Sequence, residues 1–361
     1  MGKRAEVRQT CQRGLPSRVE DLESASACFR IYCLMNPNNP FDEVYATKFP
    51  LCDEAKDVDK IGLSPQLAHL FEAFRSSPFA AAPERASELS QIVNRAGMCM
   101  RPDPRAESWR FEAIPTLGKR IFVGTRTLER LWAYSYGFTT IITQNQLQAQ
   151  QGASDVPNPD EYLLAFYAVN WADQEKREDI EGPWPDCLPD PRMTAELEHV
   201  YAANEVFLMT AGRILLHEIA HVVFADAGTS SDDPKEEEFR ADEWADNWML
   251  NQWKSYGTDE RIFIKRCLGI ALAHAPAIRL GVQPERPSVT HPSPIARVVQ
   301  FFDRIPTGLP TANRRTDFPA AFLWMILLKT LIDKKVITAQ PEVPSSYHEA
   351  FNLHAAHYEA K

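Results

Sequence analysis

Two histidines four residues apart, with a glutamate directly after the first, form the most reactive segment of this 361-residue chain: His217-Glu218-Ile219-Ala220-His221. Residues i and i+4 of an α-helix point the same way, so both imidazoles can offer a nitrogen to one metal ion while Glu218 stands beside it. That arrangement suits a zinc-dependent hydrolase. Zinc lowers the pKa of a bound water from about 15.7 toward 7, and Glu218 takes the water's proton and later passes it to a leaving amine. The pentapeptide alone is a moderate signal, and two satisfied core histidines are the plain alternative.

A catalytic zinc needs a third protein ligand and leaves its fourth position to water. Glu238-Phe239-Arg240-Ala241-Asp242 supplies a candidate. Glu238 can ligate the ion, and Asp242, one turn later on the same face, can accept a hydrogen bond from a ligand histidine. Small Ala241 and Ala245 let two helices approach closely, and Glu243 is the competing carboxylate. Glu236 and Glu237 read as a solvated acidic helix start favoured by the macrodipole. An oxyanion needs donors beyond the metal, and the segment from Thr290-His291-Pro292 to Arg297 offers an imidazole and a guanidinium. His291 is the first candidate and Arg297 the second, against a loop histidine and a plain ion pair. His274 reads as a core histidine, while His348, His354 and His357 fall in an exposed C-terminal segment and receive no role.

The elements that must position these groups are mostly helical. Leu67, Leu70, Phe71 and Phe74 recur at helical spacing, and Ser76-Ser77-Pro78 is expected to close that helix, with another after Pro83. Trp109 to Ile114 and Arg120 to Gly124 flank the turn residues 115–118 and predict a β-hairpin. Thr127 is expected to cap a helix running toward Ile142, and residues 151–191 to be mostly loop with a helix near 162–171. A long buried helix is expected over 194–227, then a polar loop, a helix over 235–253 and another over 261–280. The fold class is α+β, mainly α-helical, with a small β-hairpin or sheet beside the His217 helix. Residues 1–60 read as an N-terminal extension, 61–345 as the metallopeptidase domain and 346–361 as a C-terminal tail.

Composition excludes several classes. With 44% hydrophobic residues the chain buries a core, and a net charge of -10 without a Lys/Arg-rich tract argues against nucleic acid or anionic membrane as partners. The first residues lack the apolar run of a signal peptide, and the apolar stretch 320–328 is about half of the roughly 20 residues a membrane helix needs. Seven cysteines without CxxC pairs suit free thiols in a reducing, cytoplasmic setting, with Cys28 and Cys33 a weak metal alternative.

Several separate pieces then carry a family likeness. They are His69 to Phe79 with Ala82-Pro83-Glu84, Leu131 to Tyr134, Asn204 to Leu208, the His217 motif continuing into Val222-Val223, Glu237-Glu238 to Asp242, Cys267 to Ala271, and Thr290 to Arg297. Over about residues 65–305 the chain resembles the Lit family of bacterial phage-exclusion metallopeptidases, which are gluzincins that cleave elongation factor Tu. The segment from His291-Pro292 to Arg297 is also similar to the integral-membrane gluzincins of the prenyl-protein and heat-shock type, where the histidine lies at the active site. The Lit likeness implies a gluzincin fold, a Zn2+ cofactor, elongation factor Tu as protein substrate, a phage-derived activating peptide and an anti-phage abortive response. The competing readings are a non-catalytic sensor or binding protein stabilised by zinc, and a protease that cleaves a regulator in another defence or toxin system.

Overall fold

The computed structural model describes residues 47–53, 62–104, 109–151, 158–174, 184–193, 198–252, 260–280, 290–305, 317–333 and 347–359. Expectations for residues 1–46, including Cys11, Cys28 and Cys33, lie outside them. Within the described residues, besides single helical turns at Pro65–Ala68 and Pro83–Arg85, the order is α1 (Phe71–Ala80), α2 (Ala86–Ala96), β1 (Cys99–Asp103), β2 (Phe111–Ile114), β3 (Arg120–Gly124), α3 (Thr125–Gln151), α4 (Pro159–Ala172) and α5 (Glu198–Ala227). There follow α6 (Pro234–Leu250), α7 (Glu260–Ala273), α8 (Ala275–Leu280), α9 (Pro294–Arg304), α10 (Asp317–Asp333) and α11 (Tyr347–Glu359). The architecture is mainly helical α+β, with one small mixed sheet.

Helix α5 is the centre of the core. It is apolar almost all round because it is surrounded: α1, α3, α6, α7 and β2 all pack on it. Val206, Phe207, Leu215, Leu216, Ile219 and Val222 are buried, and each such side chain contributes about 1.5–3 kcal/mol on leaving water. By length and composition the span His199–Ala227 could cross a membrane, but 78% of its apolar window is buried inside the protein. Two glycines permit the closest approaches. A Cβ on Gly212 would sit 2.6 Å from the Ser77 carbonyl oxygen of α1, and one on Gly269 of α7 would sit 2.4 Å from Met209 Cγ. Gly228, left-handed at φ 63, stops α5.

The sheet has the order β1-β3-β2. β2 and β3 form the expected antiparallel hairpin, Phe111 opposite Val123 and Ile114 opposite Arg120. Its turn places Gly118 and Lys119 in the left-handed region at φ 67 and 53. β1, which carries Pro102 and no alternating pattern, pairs parallel with β3 and was not expected from the sequence. Residues 50–52 run along the other edge of β1, with Met100 N–H donating to Pro50 O at 2.7 Å and Cys52 N–H to Met100 O at 3.0 Å. That pairing brings Cys52 and Cys99 to a Cα separation of 5.0 Å and they form a disulfide, so two of the expected free thiols are not free. Cys187 and Cys267 are not in a disulfide.

Tertiary contacts revise several local expectations. α1 continues through Pro78 to Ala80, because packing on α5 outweighs the single carbonyl partner that proline cannot supply. Thr127 does not cap α3, which starts at Thr125; its hydroxyl accepts the Arg110 N–H at 2.9 Å and fastens the hairpin to the helix. The expected single helix over 261–280 breaks between α7 and α8 at His274. The C-terminal residues are not an exposed tail: α11 docks on α10 with Phe351 fully buried, and His354 is buried under Trp324. The side chains of His348 and His357 lie outside the described residues.

Candidate metal centre

Helices α5 and α6 meet through two stripes spaced by four residues. α5 presents Arg213, His217 and His221, and α6 presents Glu238, Asp242 and Asp246. The stripes run in opposite directions, so Arg213 meets Asp246 and Asp242, His217 meets Asp242 and Glu238, and His221 meets Glu238. Ala241 and Ala245, both fully buried, let the backbones close in as expected. Asp233 starts α6 by accepting the Lys235 N–H at 2.9 Å.

At the open end of this ladder His217 Nε2 and His221 Nε2 are 3.2 Å apart. Glu238 presents Oε2 to His217 and Oε1 to His221, each at 3.4 Å. A tetrahedral zinc with bonds of about 2.0–2.1 Å separates its ligand atoms by roughly 3.3–3.4 Å. Two imidazole nitrogens and a carboxylate at these spacings therefore fit the ion in number, chemistry and size. Among the described residues these three form the one group of metal-ligating side chains with suitable separations. The competing carboxylate Glu243 is exposed and outside the group.

Behind the donors lies a buried charged network. Asp242, 1% exposed, accepts from Arg213 Nη2 at 2.7 Å and from Arg297 Nε and Nη2 at 2.5 and 2.7 Å. Its Oδ1 also lies 2.9 Å from His217 Nδ1, a short but bent contact that a modest ring rotation would straighten into a hydrogen bond. Asp246 takes Arg213 Nε at 3.1 Å and Arg304 Nη1 at 2.7 Å. Burial pulls the His217 imidazole down, yet Asp242 and Glu238 outweigh it and raise the group to about 9. Burial pushes the Glu238 carboxyl up, but His217, His221 and Arg297 hold it well below the carboxylate range. Asp242 is likewise held well below that range, since Arg297, Arg213 and His217 outweigh its desolvation. A proton on the His217 imidazole is thereby stabilised between the Asp242 and Glu238 carboxylates.

Glu218, about 100° round α5 from His217, turns toward β2, and its Oε2 accepts the Ala113 N–H at 2.7 Å. β2 is an edge strand. Gly124 N–H bonds to Arg110 O at 2.8 Å, so by antiparallel alternation residues 110, 112 and 114 face β3 while Phe111 and Ala113 turn their backbone groups outward, toward α5. Lys119 in the turn pairs with Asp226 at 2.7 Å and ties the hairpin to the end of α5.

The structure separates the two oxyanion candidates. His291 sits at the rim, its side chain 58% exposed, with Nε2 3.7 Å from Glu238 Oε1 and Nδ1 2.8 Å from Thr290 Oγ1. Arg297 spends Nε and Nη2 on Asp242 and keeps Nη1 3.6 Å from Glu238 Oε2, so its guanidinium faces carboxylates. His274 is buried as expected, but its Nε2 has no hydrogen-bond partner, and burial with the nearby Arg213 holds the ring neutral. Arg213, Asp246, Arg304 and the Ala113 amide were missed in the sequence. The first two extend the recognised stripes by one four-residue step, which is the signal that would have found them.

The family model described as Peptidase U49 matches residues 121–312. A cell death peptidase of Escherichia coli (strain K12) is 28% identical over 221 residues, covering 57% of this chain and 70% of that protein. No solved structure matches.

Proposed function

From the premise that this chain belongs to the peptidase U49 family, we propose that it is a zinc-dependent endopeptidase of gluzincin type, with His217, His221 and Glu238 as the metal ligands. One observation carries the reading: the three donor groups converge at 3.2–3.4 Å, although Glu238 on α6 is 17 and 21 residues along the chain from His221 and His217 on α5. Zinc held there supplies Lewis acidity toward a scissile carbonyl and acidifies water. Glu218, anchored through one oxygen to the Ala113 amide, has the other free to take a proton from the attacking water and return it to the departing amine. The outward edge of β2 offers an extended peptide backbone partners next to Glu218. His291, exposed at the rim, donates to the developing oxyanion. Asp242 orients His217, and Arg297 holds Asp242 and Glu238 in place.

The E. coli relative is a cell death peptidase, which accords with an abortive response. The Lit resemblance adds elongation factor Tu as the substrate, a phage-derived peptide as the trigger and the cytoplasm as the place of action. A reducing cytoplasm would hold Cys52 and Cys99 as a dithiol rather than the disulfide of the structure.

The test is metal content and cleavage together. Wild-type protein, with a bacterial lysate and purified elongation factor Tu as substrates, is expected to hold one zinc per chain and to clip a defined protein. Glu218→Gln is expected to hold the same zinc and cleave nothing. Unchanged cleavage by Glu218→Gln overturns the mechanism, and zinc binding without cleavage by either protein favours the non-catalytic reading.

A further inference from the structure

Each ligand histidine has a second nitrogen, and what that nitrogen faces governs how firmly the first one holds a metal. For His217 the partner is Asp242. For His221 we infer that it is Glu237, a positioning residue that holds the His221 ring from the side opposite Glu238; the inference rests on the zinc reading above.

Glu237 differs from its neighbour in the acidic helix start. Glu236 is exposed, whereas the Glu237 side chain is only 14% exposed, and its Oε1 lies 3.7 Å from His221 Nδ1. The carboxylate is already held in place. Its Oε2 accepts the Ser231 N–H at 2.8 Å, and Arg240 Nη1 stands 3.4 Å away. Arg240 is fixed in turn by donating to Thr229 O at 2.7 Å and by stacking over Phe224, 4.6 Å from its ring centre. The first turn of α6, clamped by the loop from α5, thus presents a negative oxygen to Nδ1 while Glu238, one residue further on, meets Nε2. Adjacent helical residues are separated by about 100°, so Glu237 and Glu238 flank one imidazole from two sides. A small ring rotation, with Nε2 engaged by a cation, brings Nδ1–H within hydrogen-bond reach of Glu237.

A purely structural role for Glu237 as a loop clamp makes a different forecast, and Glu237→Gln separates the two. The amide oxygen can still accept from Ser231, so the clamp survives, but the charge beside His221 is lost. Zinc affinity is read on chelator-stripped protein by competition with a chromophoric chelator, beside the melting temperature of the metal-free form. Glu237→Gln is expected to weaken zinc about 10- to 100-fold with the metal-free melting temperature unchanged, and Glu236→Gln to change neither. An affinity for Glu237→Gln within twofold of wild type, while His221→Ala abolishes binding, overturns the inference and leaves the zinc site standing. Absence of zinc from wild type defeats both. If Glu237→Gln also lowers the metal-free melting temperature, Glu237→Asp decides: retained charge must bind zinc more tightly than Glu237→Gln, and equal weakening overturns the proposal.

Discussion

Asp242→Asn removes one charge and no volume from a carboxylate that two buried arginines and a ligand histidine share. Three guanidinium donors, at 2.5, 2.7 and 2.7 Å from Arg297 and Arg213, converge on it, and His217 Nδ1 lies 2.9 Å away. Asparagine keeps one acceptor oxygen and turns an NH2 group toward the remaining donors. Arg213 retains Asp246, but Arg297 keeps only Glu238 at 3.6 Å. Breaking a buried pair from one side costs about 3–5 kcal/mol. At roughly 2–4 °C per kcal/mol for a large domain, the melting temperature is expected to fall by about 6–20 °C. Loss of the histidine's partner adds about a 10- to 100-fold weakening of zinc. Calorimetry of metal-free protein reads the first effect and chelator competition the second. Asp246→Asn is the matched control. It touches Arg213 and Arg304 but no ligand, so it is expected to lower stability and leave zinc affinity within about threefold. Equal effects of the two variants on zinc, or a melting temperature for Asp242→Asn within about 2 °C of wild type, would refute the reasoning.

Three further outcomes follow from the same geometry. His217, raised to about 9 in the metal-free protein, lies above its unfolded value of about 6.5, so its contribution is complete below pH 6.5 and is lost as pH rises toward 9. Metal-free protein is expected to lose on the order of 3 kcal/mol across that window, and zinc-loaded protein, which needs the neutral ring, not to show this loss; coincident pH profiles by calorimetry would contradict it. Ala113→Pro deletes the N–H that anchors Glu218 while sparing the β2–β3 ladder, so cleavage should collapse with zinc retained; undiminished kcat would remove the strand from the mechanism. Gly212→Val drives side-chain atoms into the Ser77 carbonyl and should cost about 1–3 kcal/mol or more; denaturant titration showing no loss would mean that α1 and α5 separate freely.

The centre was legible wherever its chemistry followed a local period. His217, Glu218 and His221 come from a spacing of four on one helix, and Glu238 with Asp242 repeats that spacing on the next. The end of α5 was legible because Gly228 stops it. What escaped depends on contacts distant in sequence. Arg213 looks like an ordinary polar residue in a long apolar helix until Asp242 and Asp246 are placed opposite it. β1 has no strand signature of its own and exists by parallel pairing with β3, while residues 50–52 along its other edge bring Cys52 to Cys99. Arg297 read as an oxyanion donor or a plain ion pair because nothing local showed that Asp242 takes two of its nitrogens. Glu237 read as solvated because burial of a helix start is set by the preceding loop.

Zinc K-edge X-ray absorption on protein loaded with one equivalent of metal tests the centre most directly. The expected first shell is two imidazole nitrogens at about 2.0–2.1 Å and carboxylate or water oxygen at about 2.0–2.2 Å, losing one imidazole in His221→Ala and changing its oxygen shell in Glu238→Ala. A shell containing sulfur at about 2.3 Å, or a spectrum indifferent to both substitutions, would place the metal elsewhere and contradict the account.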